Sequence, residues 1–253
     1  MRELDYKTYN NYIKRSGLPP VYQKVTYINP YECDVETFTK IKDIMESALD
    51  GKTFDNGTAG NYLLYSSKCG NGKTTMACNI GLSFLEHATH CVYNNNTPLY
   101  FVNVADLLNT IKKSYSDSSI SLSAIEKLIF ETKVVIFDDL LTIGMSEYDI
   151  GKLYNYINYR TINNKVTIVT MNGDAEIKTA DDLDSLNKYL YPRLTDRLKD
   201  FTLLTFEGSS ARGKNFEKTY KTISIEDEVG HIIIPSLEQS EQLRKEFGED
   251  VYN

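Results

Sequence analysis

Ser67-Lys68-Cys69-Gly70-Asn71-Gly72-Lys73-Thr74-Thr75 decides how this chain is read. It follows an apolar run, Tyr62–Ser66, and opens a stretch of helical spacing, Thr74–Leu85. A glycine-rich turn placed there lets backbone N–H groups converge on phosphate oxygens at a helix N-terminus. A lysine then reaches the β/γ-phosphates and a hydroxyl ligates Mg²⁺. Gly70, Gly72, Lys73 and Thr74 fill those roles, and Ser67, Asn71 and Thr75 complete the loop. The strict pattern has glycine where this chain has Ser67, a replacement that works if the residue keeps an ordinary backbone φ. Cys69 reads as a small filler. The competing reading is a Gly/Lys turn that opens a helix and has nothing to do with phosphate.

Outward from the loop, short β-rich runs alternate with longer helical stretches, which predicts an α/β domain with a mostly parallel sheet. The strands are expected at Tyr62–Ser66, Leu99–Val104, Val134–Phe137, Val166–Thr170 and Phe201–Phe206. Helices are expected at Thr74–Leu85, Ala105–Tyr115, Leu122–Glu131, Glu147–Asn163 and Leu183–Lys199.

In Lys133-Val134-Val135-Ile136-Phe137-Asp138-Asp139 an apolar strand ends in paired carboxylates. A buried parallel strand delivers such residues to the crevice at the sheet's carboxyl edge. There Asp138 would hold Mg²⁺ through water and Asp139 would orient or deprotonate an attacking water. Val166-Thr167-Ile168-Val169-Thr170-Met171-Asn172 ends in an amide suited to sensing the γ-phosphate or that water. Asn172 could equally be a turn residue. Arg193 and Arg197, in Tyr191-Pro192-Arg193-Leu194-Thr195-Asp196-Arg197-Leu198-Lys199, share a helix face. They suit either the charge of a transferring phosphoryl group, supplied by a neighbouring subunit, or pairing with Asp196 or Asp200.

The order of phosphate loop, Asp-Asp strand and Asn-ended strand resembles an AAA+ P-loop ATPase core: a five-stranded mostly parallel sheet sandwiched by helices, with no full C-terminal lid domain. From about Ser16 to Arg212 the chain resembles the DnaC/DnaI family of bacterial and phage helicase loaders. Ser16-Gly17-Leu18-Pro19-Pro20-Val21-Tyr22 looks like the family's leading segment. Phe101-Val102-Asn103-Val104-Ala105-Asp106-Leu107-Leu108 looks like its second strand and helix, and Ile157-Asn158-Tyr159-Arg160 like its helix before sensor 1. Gly208-Ser209-Ser210-Ala211-Arg212 resembles its small closing motif.

The resemblance implies ATP and Mg²⁺ as cofactors, a hexameric DnaB-type replicative helicase as partner, placement of that helicase on single-stranded DNA, and self-assembly into an AAA+ oligomer. It implies the arginine-finger position for Arg197, with Arg193 beside it. It also implies single-strand contact through the helical insertion Asn103–Thr132, where Lys112, Lys113 and Tyr115 could supply phosphate and base-stacking contacts. A solvated helical face is the other reading of that insertion. Residues 1–55 carry no cysteine-rich zinc module of the DnaI kind. Competing functions are a transposition accessory ATPase of the IstB type, a small-molecule phosphotransferase, and a nucleotide-binding adaptor with little hydrolysis.

Composition agrees with a packed domain: of 253 residues, 41% are hydrophobic and 25% charged. The formal net charge of −7 taken whole disfavours a nucleic-acid partner, but its distribution is uneven. Residues 222–253 hold eight acidic against two basic side chains, whereas residues 1–24 and 190–221 are each at +3. The acidic tail would therefore face away from DNA or meet a basic protein surface.

Cys33, Cys69, Cys78 and Cys91 have no regular spacing and read as reduced thiols, and His87, His90 and Cys91 lack partners at ligand spacing. No apolar run reaches the ~18–20 residues that span a bilayer, and residues 1–6 lack a signal-peptide core, so a cytoplasmic protein without membrane attachment is expected. The expected organisation is an arm and helix over 1–55, the ATPase core over 56–207, and a C-terminal extension with an acidic tail over 208–253.

Overall fold

A computed structural model of the chain describes residues 6–23, 35–50, 60–88, 97–141 and 144–208. Five strands, β1 (Asn61–Ser66), β2 (Leu99–Asn103), β3 (Val134–Asp138), β4 (Val166–Asn172) and β5 (Thr202–Thr205), form one sheet in the order β2-β3-β4-β1-β5. Every pairing is parallel, so the sheet is wholly rather than mostly parallel.

The helices are α1 (Tyr6–Arg15), α2 (Val35–Leu49), α3 (Lys73–Ala88), α4 (Val104–Ser114), α5 (Leu122–Glu131), α6 (Glu147–Ile162) and α7 (Pro192–Lys199). Short 3₁₀ turns lie at Pro20–Tyr22 and Asp181–Leu186. Four strands follow apolar runs that are buried along nearly their whole length, as a parallel sheet covered on both faces requires.

Successive strand residues point to opposite faces, and the core divides accordingly. Leu64, Ile136 and Ile168 pack with Phe38, Ile41 and Met45 of α2 and Ile80 and Phe84 of α3. Leu63, Phe137 and Val169 pack with Leu108 of α4, Ile129 of α5, Leu153 and Ile157 of α6 and Leu194 of α7. The result is a three-layer sandwich. α3 runs directly from the phosphate loop into the first of these layers and fixes the loop over the sheet's carboxyl edge.

Two expectations need correcting. The single helix at Leu183–Lys199 is in fact a 3₁₀ turn and a separate α7, because Pro192 has no N–H to donate and holds Tyr191 extended (φ −64°, ψ 145°). Pro192 therefore opens α7 at its first position, where its missing donor costs nothing. The expected N-terminal arm contains a helix, α1, whose Tyr12 and Ile13 join the core below α3.

After α1 the chain turns at Ser16, whose hydroxyl donates to Ile13 O at 2.7 Å, and then runs along β2. Phe101 N donates to Ser16 O at 2.7 Å. Gly17 sits at φ 73°, and a Cβ there would lie 3.0 Å from Phe101 O, so glycine is needed for the approach.

The readings placed on Cys33, His90, Cys91, residues 209–212 of the closing motif and the acidic tail fall outside the described residues. Cys69 and Cys78 are free thiols; Cys69 is exposed, so it fills no packing space. Among the described residues no helix is long and apolar enough to cross a membrane, and no cluster of His, Cys, Asp or Glu could hold a metal ion by itself.

Candidate nucleotide-binding site

The phosphate loop connects β1 to α3. Gly70 and Gly72 both lie at positive φ, 80° and 90°, which a side-chain-bearing residue resists. Ser67 is not among the residues at positive φ, so the missing first glycine is accommodated without strain. Lys73 is buried, and its Nζ donates to Asn71 Oδ1 at 2.8 Å and to Lys68 O at 3.2 Å. Thr75 is half-buried on the first turn of α3.

The registers of β3 against β4 and of β4 against β1 bring the remaining groups to the same edge. Thr74 Oγ1 donates to Asp138 Oδ1 at 2.8 Å, which joins the loop to the end of β3. Thr170 Oγ1 also donates to Asp138 Oδ1 at 2.8 Å and accepts the backbone N–H of Asp139 at 2.9 Å. Burial pushes the Asp138 carboxyl above the usual carboxylate range; the Thr170 and Thr74 hydroxyls pull it back, and the neighbouring Asp139 charge adds to the rise. Asp139 itself takes the left-handed conformation, φ 58°, a local strain of the kind that clusters at working sites. Asn172 Nδ2 donates to Asp139 Oδ1 at 3.3 Å, and Asn172 Oδ1 has no hydrogen-bond partner among the described residues.

Seven of the sequence-predicted residues, Gly70, Gly72, Lys73, Thr74, Asp138, Asp139 and Asn172, thus meet at one edge of the sheet. A cavity of about 550 Å³ opens beside them at the ends of β2 and β3, bounded in part by Tyr22, Asn103, Thr110 and Asp138.

Arg193 and Arg197 stand apart from this group. Arg193 is exposed, Arg197 Nη1 bonds to Asp200 Oδ2 at 3.0 Å, and no hydrogen bond among the described residues joins either to the phosphate loop. Three further residues have roles that the sequence does not signal. Thr170 and Ser66 are short hydroxyls inside apolar strands, and nothing in their neighbours marks them. Arg160 was noticed only as part of a helix, yet it is fully buried and donates to Ile129 O, Thr132 O, Lys133 O, Val166 O and Thr167 Oγ1. Burial lowers its pKa to about 9, still above neutrality, so a charged guanidinium clamps α5, β3 and β4 together.

On α4, Lys112 Nζ pairs with Asp149 at 3.0 Å, and Lys113 is exposed. Tyr115 is 65% exposed; it shares a hydroxyl–hydroxyl hydrogen bond with the half-exposed Tyr148, their ring centroids 6.5 Å apart in an edge arrangement. Lys152 lies 6.0 Å from the Tyr148 ring.

No family model and no curated protein matches the chain. Solved structures do match. The crystal structure of the DnaC helicase loader superposes with a TM-score of 0.54 at 17% identity, covering 80% of this chain and 99% of that one. The crystal structure of DnaI gives 0.56 at 18%, covering 75% and 94%. This chain has the AAA+ P-loop fold. A replication initiator DnaA bound to AMPPCP and single-stranded DNA shares the AAA+ fold at 0.50 and 14% identity; 78% of this chain is covered but only 53% of the DnaA chain. The likeness is one of fold, a five-stranded parallel sheet covered by helices.

Proposed function

We propose that this chain is an ATP-binding and ATP-hydrolysing loader that engages a hexameric DnaB-type helicase and assists its placement on single-stranded DNA. The observation that carries the ATPase part is the contact between Thr74 and Asp138, 2.8 Å apart at the mouth of a loop whose two glycines turn its N–H groups together. Support for the loader part comes from the DnaC and DnaI likenesses, which cover nearly all of those two chains.

The donor set fits a magnesium nucleotide. The loop N–H groups and Lys73 would hold the phosphates, and Thr74 and Asp138 would hold Mg²⁺, the metal supplying neutralisation of the charge that develops on the γ-phosphoryl group. Asp139 stands ready to take or orient a proton of the attacking water, and Asn172 fixes the Asp139 carboxylate by its amide N–H while its own Oδ1 remains open for a donor. Arg197 acts from a neighbouring subunit in this reading, supported by its having no hydrogen bond to its own phosphate loop among the described residues, and hydrolysis would then rise on assembly. Tyr115, Tyr148 and Lys113 offer stacking faces and a cation to a single strand.

The test is a pull-down against replicative helicases with and without ATP, together with ATP binding by the purified protein. Nucleotide-dependent capture supports the proposal. Binding of ATP with preference for duplex DNA and no helicase capture would transfer it to the transposition accessory type.

A further inference from the structure

Asn71 has no exposed surface, and both ends of its amide are used inside the protein. Its Oδ1 accepts Lys73 Nζ at 2.8 Å, while its Nδ2 donates to Ser66 Oγ at 2.6 Å and to Phe206 O at 3.1 Å. Ser66 Oγ in turn donates to Phe206 O at 2.5 Å and accepts Lys68 N at 3.0 Å. Only one orientation of the amide satisfies these partners, because an ammonium can only donate and a carbonyl oxygen can only accept. Lys68 Nζ donates to Glu207 O at 3.3 Å, and Phe206 N donates to Tyr65 O at 2.9 Å, so the two residues that follow β5 are bound by four different residues.

A lysine side chain is long and flexible, and a buried ammonium is stable only where acceptors surround it. We propose that Asn71 is a positioning residue: its amide holds the Lys73 ammonium in the loop and, through Phe206 O, ties that placement to the end of β5. Asn71 acts on nucleotide through Lys73 and not by touching phosphate. The inference rests on the nucleotide-binding reading above. It adds a specific consequence: whatever displaces the chain leaving β5 at Phe206 and Glu207 alters the lysine's grip on the β/γ-phosphates.

The experiment titrates ATP and ADP against wild type, Asn71→Ala and Asn71→Asp at pH 8 and pH 5.5, with thermal unfolding of each. Asn71→Ala removes the acceptor, so the Kd and KM for ATP should rise about tenfold, by the same ratio to wild type at both pH values, with kcat changed far less. Asn71→Asp keeps an acceptor but sets a carboxylate against the ammonium and drops the donor to Phe206 O. The ammonium keeps that carboxylate ionised at both pH values, so the variant's affinity for ATP should be about tenfold below wild type at each.

A role confined to loop packing would shift unfolding temperatures while leaving the Kd for ATP of the folded variants at the wild-type value. Wild-type affinity for ATP in either folded variant overturns the inference while leaving the nucleotide reading intact. Absence of ATP binding by the wild type overturns both. Should Asn71→Ala fail to fold, the isosteric Asn71→Asp decides alone.

Discussion

The hydroxyl of Thr170 donates to the Asp138 carboxylate at 2.8 Å and, on its other side, accepts the backbone N–H of Asp139 at 2.9 Å. One side chain on β4 thereby sets both the rotamer of the carboxylate that faces Thr74 and the left-handed turn that aims its neighbour. The isosteric Thr170→Val removes the donor and the acceptor together. We expect a stability loss of about 1–3 kcal/mol from the unpaired groups, and a fall in kcat of roughly tenfold or more from the misplaced Asp139. Denaturant melts and steady-state ATPase assays read the two separately.

Asp138 is raised above the ordinary carboxylate pKa by burial, so the native state retains a proton that the unfolded chain has already released. Stability therefore declines as pH rises through the window from the ordinary carboxylate value to the raised one, and stays lower above it. Asp138→Asn keeps an acceptor for Thr74 and Thr170 and removes the charge. The variant should melt higher than wild type at neutral pH, with the gap closing below the ordinary carboxylate range, and Mg²⁺ with nucleotide should no longer stabilise it. Thermal melts across pH, with and without Mg²⁺-ATP, check this.

Lys73→Ala should abolish nucleotide binding. Arg197→Ala should leave binding intact and suppress the hydrolysis that depends on subunit assembly, by about 10³-fold if the guanidinium works as a finger. The pairing of Arg197 with Asp200 is surface-exposed and worth ~0–1 kcal/mol, so neither its loss nor its re-formation obscures the result. ATPase rate plotted against protein concentration is the measurement, with Arg193→Ala as the second arm if the first leaves the slope unchanged.

Arg160→Met should cost about 3–5 kcal/mol, because five acceptors converge on the buried guanidinium and lose it at once. The site lies at the opposite edge of the sheet, so ATP affinity of the folded variant should match wild type. Urea unfolding and nucleotide titration test the pair of statements.

Tyr115→Ala should weaken single-strand binding by ~1–3 kcal/mol, the worth of one stacked base, and Lys113→Ala should lower the salt dependence by about one phosphate contact. Lys112→Ala is expected to do less to DNA and more to α6, since its ammonium is held by Asp149 in the capping box that opens that helix. Anisotropy with a labelled oligonucleotide over a salt series separates the three.

Apolar runs bounded by turns placed every strand to within a few residues, since burial on both faces leaves a continuous signal, and the phosphate loop announced itself by residue type and order. Pro192 was the visible exception: it stood in the middle of an expected helix, and its position argued for the break that the structure has. Ser66, Thr170 and Arg160 were hidden for a different reason, as was the contact of Asn71 with Phe206, although its place in the phosphate loop was legible. Their partners lie on other strands, so their roles depend on register, as when Ser66 falls opposite Asn172 in the β1–β4 pairing. Nothing local to a short hydroxyl or amide states which strand will arrive beside it.

The segment that follows α1 has a task separate from catalysis. β2 is the outermost strand on its side, and the carbonyl of Ser16 takes the N–H of Phe101 that would otherwise be offered to any extended chain nearby. Gly17, with its positive φ, turns the backbone so that no further pairing can continue from there. An open sheet edge is a template on which another extended chain, a second copy included, can pair and aggregate. The leading helix and its turn thus act as a guard against self-templated aggregation. A version trimmed of its first seventeen residues would carry that hazard even with an intact nucleotide site.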